Sequence, residues 1–396
     1  MNGATADFIR VHADDDIRQL ALKGTKDPDI DLPFALDQIA GRQTARRKLP
    51  TWAATDGIIF PPHLSMEQCS SEQTARYKAR LAGSGHRMVD LTGGFGVDFS
   101  FMAPGFEETV YVEQQSVLCD IARQNFQLLG IQAEVVCGDG VEYLRQMPHA
   151  DLIYIDPARR DRQGQRTYDI SDCTPDVIAL QDVLVEKADR IIIKLSPMLD
   201  WRKAVQDLSQ SPCVSEVHIV SVGNECKELL LVLSAHSSDN AEPLLFCVND
   251  DMVFTSHLIP ELSSPHPSSL IPLVSQFLYE PNASIMKAGC FAEVAEAFGV
   301  SPIATNSHLF VSSQPVSQFP GRMFQIEAMT TLNKKELRVA LAGITQANIT
   351  VRNFPLSVAQ LRSRLKLSEG GSTYIFATTL ADKSHVLLVC RKTVTV

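Results

Sequence analysis

A chain of 396 residues is long enough for two or three domains, each with its own core. With 45% hydrophobic and 21% charged residues it has the composition of a folded globular protein, which excludes wholesale disorder. No apolar run approaches the roughly 20 residues that a membrane helix needs. The net charge of -10 is unevenly placed: from Thr330 onward there are ten Lys/Arg against three Asp/Glu, a net +7, so the remainder carries -17. An acidic body with a basic terminal module points to a polyanionic partner; the alternative is a solvated basic face with no partner. The opening "MNGATADFIRVHADDD" lacks the basic and apolar regions of a signal peptide. Nine scattered cysteines without a CxxC pair read as reduced thiols, so a cytoplasmic protein without a disulfide framework is expected. The ten histidines show no HxH or HExxH spacing, and no metal is expected.

Taken in order, the first eighty residues read as mainly helical. "DLPFALDQIAGRQTARRKLPTW" has an amphipathic front and a basic cluster stopped by Pro50, and a second helical run extends from near Ser65 to the Gly83-Ser84-Gly85 breaker. Strands and helices then alternate. "HRMVDLTG", "ETVYVEQ", "AEVVCGDG", "ADLIYIDP" and "DRIIIKLSP" are the strands; "VDFSFMA", "SVLCDIARQNFQLLG", "VEYLRQM" and "TPDVIALQDVLVEKA" are the helices. Each strand is a nearly continuous apolar run, as in a parallel sheet covered on both faces. "SEVHIVSVG" and "KELLLVLSA" are separated by too few residues for a crossover helix, so they must pair antiparallel. A Pro/Ser-rich stretch, "HLIPELSSPHPSSLIP", reads as a linker. Beyond it, "EPNASIMKAGCFAEVAEAFGV" is helical and "HLFVSS" strand-like. The helices "NKKELRVALAGI" and "SVAQLRSRLKL" then combine with the strands "ANITVRNF", "STYIFATTL" and "SHVLLVCRK" into a small α+β module.

The chemistry gathers at the strand ends. After Asp90, a turn with Gly93, Gly94 and Gly96 lets a ligand approach the backbone, and the following helix N-terminus favours an anionic group. Glu113, about 20 residues on, is placed to accept from two ribose hydroxyls. Asp139, followed by Gly140, can accept from an adenine amine. All three acids lie at the carboxyl ends of successive strands, where open α/β sheets bind ligands. The fourth strand ends in Asp156-Pro157. There the proline fixes the loop direction and turns neighbouring carbonyls toward the site. Hydride transfer has no use for such acceptors; orienting a nucleophile toward a methyl sulfonium does.

"DLTGGFGVD", "VEQ", "CGDG" and "IDPARR" resemble the successive motifs of class I S-adenosylmethionine-dependent methyltransferases. "KLPTWAATDGIIFPPHLSMEQCSSEQTARYKA", "YEPNASIMKAG" and "RNFPLSVAQLRSRLKL" are similar to a bacterial group of these enzymes that carries a ferredoxin-like segment and a C-terminal THUMP-like domain. The resemblance implies an α/β fold: a Rossmann-like class I methyltransferase sheet with a terminal antiparallel hairpin, preceded by a helical region and followed by small α+β modules. The expected divisions are a helical region over 1–80, a catalytic domain over 81–236, and a linker or extension over 237–278. A ferredoxin-like segment over 279–322 and a THUMP-like domain over 323–396 complete the chain. By resemblance, Asp90, Thr92, Gly94 and Gly96 surround the methionine end of S-adenosylmethionine, Glu113 holds the ribose, Asp139 and Gly140 the adenine end, and Asp156 and Pro157 face the substrate. One departure is notable. Amine methyltransferases of the Asp-Pro-Pro-Tyr type place an aromatic residue fourth, whereas this chain has Ala158 and Arg159 in the last two places.

Lys194, at the end of the fifth strand, is either a substrate contact or a snorkelling lysine. Arg159, Arg160, Arg162 and Arg166 beside the site favour a phosphate-bearing substrate, and Tyr168 could stack on a base or anchor its loop. Arg352, Arg362, Arg364 and Lys366 are the expected contacts of the basic module. The reading is a cytoplasmic methyltransferase acting on structured RNA, a tRNA or rRNA, without metal or membrane. Other readings stay open: a protein or small-molecule methyltransferase, a catalytically silent RNA-binding module, and, last, a nicotinamide dehydrogenase. Oligomeric state is not legible.

Overall fold

The computed structural model describes residues 2–159, 169–208, 214–234, 242–257, 274 and 276–393. Two compact units make up the chain: Met1–His218 with Lys227–Pro243, and Ile219–Cys226 with Leu244–Val396.

The first unit begins with six helices: α1 (Gly3–Val11), α2 (Ile17–Lys23), α3 (Leu32–Lys48), α4 (Pro50–Ala54), α5 (His63–Gln68) and α6 (Glu72–Ala82). Side chains of Asn2, Asp16, Asp31 and Ser71 accept backbone N–H groups and start four of them. Pro50 does not simply stop α3; it occupies the first position of α4, where its missing N–H costs nothing. The run expected from Ser65 to Gly83 is two helices, because the chain turns extended at Cys69 and Ser71 caps the next one. Ala45, Leu49, Trp52, Phe60 and Met66 share one core with Phe95, Val97, Leu118 and Ile121. The helical region and the glycine turn are therefore packed as a single body.

The strands of this unit are β1 (Gly85–Asp90), β2 (Phe106–Glu113), β3 (Glu134–Cys137), β4 (Ala150–Ile155), a two-residue pair β5 (Ala158–Arg159) and β6 (Cys173–Thr174), then β7 (Ala188–Leu195) and most of β8 (Val214–Val222) and β9 (Glu225–Ser234), whose shared hairpin end, Ile219–Cys226, belongs to the second unit. In the main sheet they follow the order β8-β9-β7-β4-β1-β2-β3. Strands β3, β2, β1, β4 and β7 are mutually parallel, and β9 runs antiparallel to β7. The turn between β8 and β9 places Gly223 and Asn224 at φ +58° and +64°, the left-handed pair that a two-residue hairpin requires. Intervening helices are α7 (Val97–Met102), α8 (Ser116–Leu128), α9 (Gly140–Gln146), α10 (Gln181–Lys187) and α11 (Trp201–Asp207). The helix expected from Thr174 starts only at Gln181, after a turn in which Asp176 caps Ala179. The sequence reading passed over α11, which Asp200 caps. Under the sheet, Phe99, Tyr111 and Phe126 meet mostly edge-to-face in a core with Met88, Leu152 and Ile192.

In the second unit, part of the expected linker or extension is folded. Residues 244–257 form an antiparallel hairpin, β10 (Leu244–Asn249) and β11 (Met252–His257), turned through Asp250 at φ +55°. Nearly all of the Pro/Ser-rich stretch, from residue 258 on, lies outside the described residues. Next come β12 (Phe277–Pro281), α12 (Ala283–Ala288), α13 (Phe291–Phe298), β13 (Ser301–Pro302), β14 (Phe310–Ser312) and β15 (Gly321–Thr330). The chain ends with α14 (Lys334–Ala340), β16 (Asn348–Arg352), α15 (Val358–Leu365), β17 (Thr373–Thr379) and β18 (His385–Lys392). A seven-stranded sheet results, ordered β13-β14-β12-β15-β18-β17-β16, with β16 and β17 its parallel pair. The single helical stretch expected over 280–300 is broken at Gly289, whose φ of +69° ends α12.

Candidate functional site

Strand β1 delivers Asp90 to the carboxyl edge of the sheet, where it is 1% exposed and its Oδ1 accepts the Thr92 N–H at 2.9 Å. In the turn that follows, the glycines do different work. A Cβ at Gly93 would sit 2.3 Å from Tyr111, and one at Gly96 2.8 Å from Phe126, so these two admit the protein's own aromatic rings. Gly94 is the open one: it holds φ +60°, and the nearest atom to an added Cβ is the Thr92 carbonyl at 3.7 Å. Gly138 has nothing within 4 Å, lines the same space, and was missed by the sequence reading.

Glu113, at the end of β2, is almost fully buried. Its two carboxylate oxygens accept the Gly94 N–H at 2.9 Å and the Gln115 N–H at 2.8 Å, which fixes the glycine turn to the second strand. Asp139, after β3, is exposed and uses Oδ1 to cap α9 through Val141 and Glu142. Gly140 follows because a Cβ there would lie 2.1 Å from the Leu91 carbonyl. Gly140→Ala is expected to lower stability by about 1–3 kcal/mol, read from urea unfolding, since the contact is backbone and cannot swing away. At the end of β4, the Asp156 N–H donates to Thr92 Oγ1 at 2.7 Å, tying the first and fourth strands together.

These groups line one cavity of about 1180 Å³. Asp90, Thr92, Gly94, Gly96, Glu113, Asp139, Gly140, Asp156, Pro157 and Lys194 all face it. So do Gln68, Cys69 and Ser70 of the helical region, which the sequence reading did not place there. Arg159 lies in β5; Arg160, Arg162, Arg166 and Tyr168 lie outside the described residues.

Lys194 is not a snorkelling lysine. Its Nζ donates to Asp156 Oδ2 at 2.6 Å and lies 3.5 Å from Asp98 Oδ2. Asp98, in the first turn of α7, also accepts from the Tyr154 hydroxyl at 2.7 Å and Ser70 Oγ at 2.8 Å. Its Oδ1 is 3.2 Å from Lys78 Nζ, which in turn donates to both oxygens of Glu228 at 2.6 Å. Burial alone would raise the Asp98 carboxyl, but Lys78 and Lys194, with the two hydroxyls, outweigh it and hold it at about 2. Burial pushes Glu228 up, against the pull of Lys78. Lys194 is held charged: burial opposes this, but Asp156, Asp98 and Glu228 prevail. Asp90 behaves in the opposite sense. Burial, aided by the charges of Asp98, Asp156 and Glu113 and opposed by the Thr92 N–H, raises it to about 8.

In the second unit, Arg352 is committed to Glu280 at 3.0 Å, a buried carboxylate that also holds Arg322. That leaves it little freedom for a polyanion. Arg362 is half-buried and donates to the Ala347 carbonyl, whereas Arg364 and Lys366 are exposed. Helix α14 adds exposed Lys334, Lys335 and Arg338, which the sequence reading did not single out. Among the described residues, no group of three or more His, Cys, Asp or Glu is placed to hold a metal. No described helix is long and apolar enough to cross a membrane.

The crystal structure of a candidate methyltransferase from Porphyromonas gingivalis W83 superposes on this chain with a TM-score of 0.87 and 33% identity, covering 99% of this chain and 98% of that one. This chain belongs to the same methyltransferase family. Family models match as a ferredoxin-like domain over residues 277–320 and a THUMP domain-like segment over 321–392. It is therefore a methyltransferase-family chain that carries these two C-terminal segments. A class I methyltransferase candidate from Listeria monocytogenes matches at TM-score 0.40 and 10% identity, over 63% of this chain and 94% of its own. An RNA methyltransferase candidate from Pyrococcus horikoshii matches at 0.34 and 15%, over 47% and 95%. Likenesses that remote add nothing to the assignment. A search of curated proteins finds no match.

Proposed function

We propose that this methyltransferase binds S-adenosylmethionine in the cavity at the strand ends and methylates a structured RNA. The carrying observation is the cavity itself: three acids on successive strand ends, an open Gly94, and about 1180 Å³ of space. That exceeds the usual size of a pocket for one small ligand, so a donor and a substrate group fit together. Glu113 would hold the ribose hydroxyls, Asp139 through its second oxygen the adenine amine, and Asp90 with Gly94 and Gly96 the methionine end. When bound, S-adenosylmethionine supplies a methyl group made electrophilic by a positive sulfur. Asp156 and the carbonyls beside Pro157 orient the acceptor, and Asp156 takes up its proton. The enclosing walls exclude water and fix the approach, which is where most of the acceleration comes from.

RNA as the substrate is supported by the basic module. Exposed Lys334, Lys335, Arg338 and Arg364 lie on two helices, and Lys366 at the end of the second, of a unit set in an otherwise acidic chain. The test is transfer of labelled methyl from S-adenosylmethionine to total RNA from cells lacking the gene. Label in RNA supports the reading, while label in protein or in small molecules overturns the RNA part.

Asp90 gives this reading a pH signature. Its ionised form is the one that attracts a cation, and it is protonated below about 8. Affinity for S-adenosylmethionine is therefore expected to rise up to about tenfold per unit between pH 6 and 8 and then level off. Without ligand the sign is opposite for stability: the contribution of neutral Asp90 is complete below its ordinary value of 3.8 and is lost as pH rises through about 8. Titrations at three pH values check the first, and urea unfolding the second.

A further inference from the structure

The five charges Glu228, Lys78, Asp98, Lys194 and Asp156 form one line of alternating sign running from the core to the cavity. Their side-chain exposures are 3%, 0%, 10%, 13% and 39%, so the Asp156 end is the one that meets a ligand. Five separate segments build it: α6 supplies Lys78, α7 supplies Asp98, the neighbouring strands β7 and β9 supply Lys194 and Glu228, and the residue after β4 is Asp156.

A need for stability accounts for Lys78 and Glu228, which satisfy each other in the core. It does not account for the outer half. Lys194 and Asp98 both face the cavity, and a lysine there could reach solvent at little cost. Instead its ammonium is pinned between two carboxylates. The inner one, Asp98 Oδ2, is itself immobilised by the hydroxyls of Tyr154 and Ser70. The outer one, Asp156 Oδ2, has only the lysine as a side-chain partner among the hydrogen bonds described. A four-carbon stem without a second anchor would sample several rotamers and carry the Asp156 carboxylate with it. The groups around Lys194 are otherwise Glu228 on β9 and Cys69 between α5 and α6.

We propose that Asp98 is a positioning residue of this methyltransferase: acting through Lys194, it fixes the Asp156 carboxylate in the orientation that the methyl acceptor meets. The proposal rests on the methyltransferase reading of the cavity and adds to it a residue that touches neither donor nor acceptor. It also assigns a role to the helical region, since Ser70 and Lys78 are what hold Asp98 in place.

Asp98→Asn is a clean probe, because Lys78 keeps Glu228 and Lys194 keeps Asp156, so neither cation is stranded. Acylation of the full-length, ligand-free protein by acetic anhydride, followed by mass spectrometry, reads how firmly Lys194 is held against exposed Lys366. In the native protein Lys194 is expected to react at least about tenfold more slowly than Lys366, and Asp98→Asn to narrow that difference measurably while Asp156 still holds the ammonium. Tyr154→Phe, which removes one of the hydroxyls on Asp98, shifts Lys194 in the same direction by less, and serves if Asp98→Asn does not fold. In methyl transfer to RNA from cells lacking the gene, Asp98→Asn lowers turnover about 10²-fold with KM for the donor unchanged, and Asp98→Glu restores part of it. Equal protection of Lys194 in native protein and both variants overturns the proposal, as does a raised donor KM with normal turnover. If the native enzyme transfers nothing to that RNA, the RNA reading falls, and the acylation result alone decides the role of Asp98.

Discussion

Replacing Asp156 by alanine is expected to lower methyl transfer about 10²–10⁴-fold while changing the affinity for S-adenosylmethionine no more than about twofold. The backbone N–H of residue 156 is what joins it to Thr92 and the glycine turn, and alanine keeps that bond. Lys194 also keeps a carboxylate, Asp98, so the cavity wall does not gain an unpaired charge. What is lost is the acceptor on which a nucleophile is oriented and to which it gives its proton. Asp156→Asn, which keeps the shape and one acceptor oxygen, should fall between the two. Single-turnover assays and donor titrations separate the effects. A matched loss of affinity and rate would mean instead that Asp156 positions the donor.

The largest effect on stability is expected at Lys78. It is wholly buried, and its ammonium stands between Asp98 and Glu228. Lys78→Met fills the same volume but leaves Glu228 without its cation and Asp98 with only the more distant Lys194. Breaking a buried pair in this way costs about 3–5 kcal/mol. The deficit should be greatest at pH 8 and shrink toward pH 5, because Glu228, already pushed up by burial, then takes a proton instead of remaining an unpaired anion. Urea unfolding at the two pH values measures it. A loss below about 1 kcal/mol at pH 8 would mean that water or a side-chain shift replaces the lysine.

The four strand-end acids were legible because their positions follow from local rules. An apolar run closing on Asp90, Glu113, Asp139 or Asp156 marks a buried strand whose end reaches solvent, and a parallel sheet brings all such ends to one edge. The buried line of charges was not legible. Lys78 sits in "EQTARYKARLAG", where a lysine on a helix reads as a solvated face, and Glu228 opens an apolar strand as a polar end residue would. Their burial depends on which helix packs beneath which strand, a long-range fact with no local signal. Asp98 carried a faint one: a carboxylate inside the apolar run "GVDFSFMA" needs a partner if that helix is buried. The glycines were legible as a turn but not by role, since Gly93 and Gly96 yield to Tyr111 and Phe126 from distant segments. In the second unit, β10, β11, β12, β13 and β15 were missed. "LLFCVND" and "MVFTSH" meet without a glycine, because Asp250 takes up the left-handed turn conformation.

The most direct test of the account is an equilibrium titration of the purified protein with S-adenosylmethionine, alongside Glu113→Ala. Both oxygens of Glu113 hold backbone N–H groups of the cavity and are proposed to hold the ribose. Saturable binding to the native protein is expected, weakened at least about 100-fold by Glu113→Ala, which removes two charge-assisted hydrogen bonds. No binding of the methyl donor, or binding that Glu113→Ala leaves unchanged, would contradict the account.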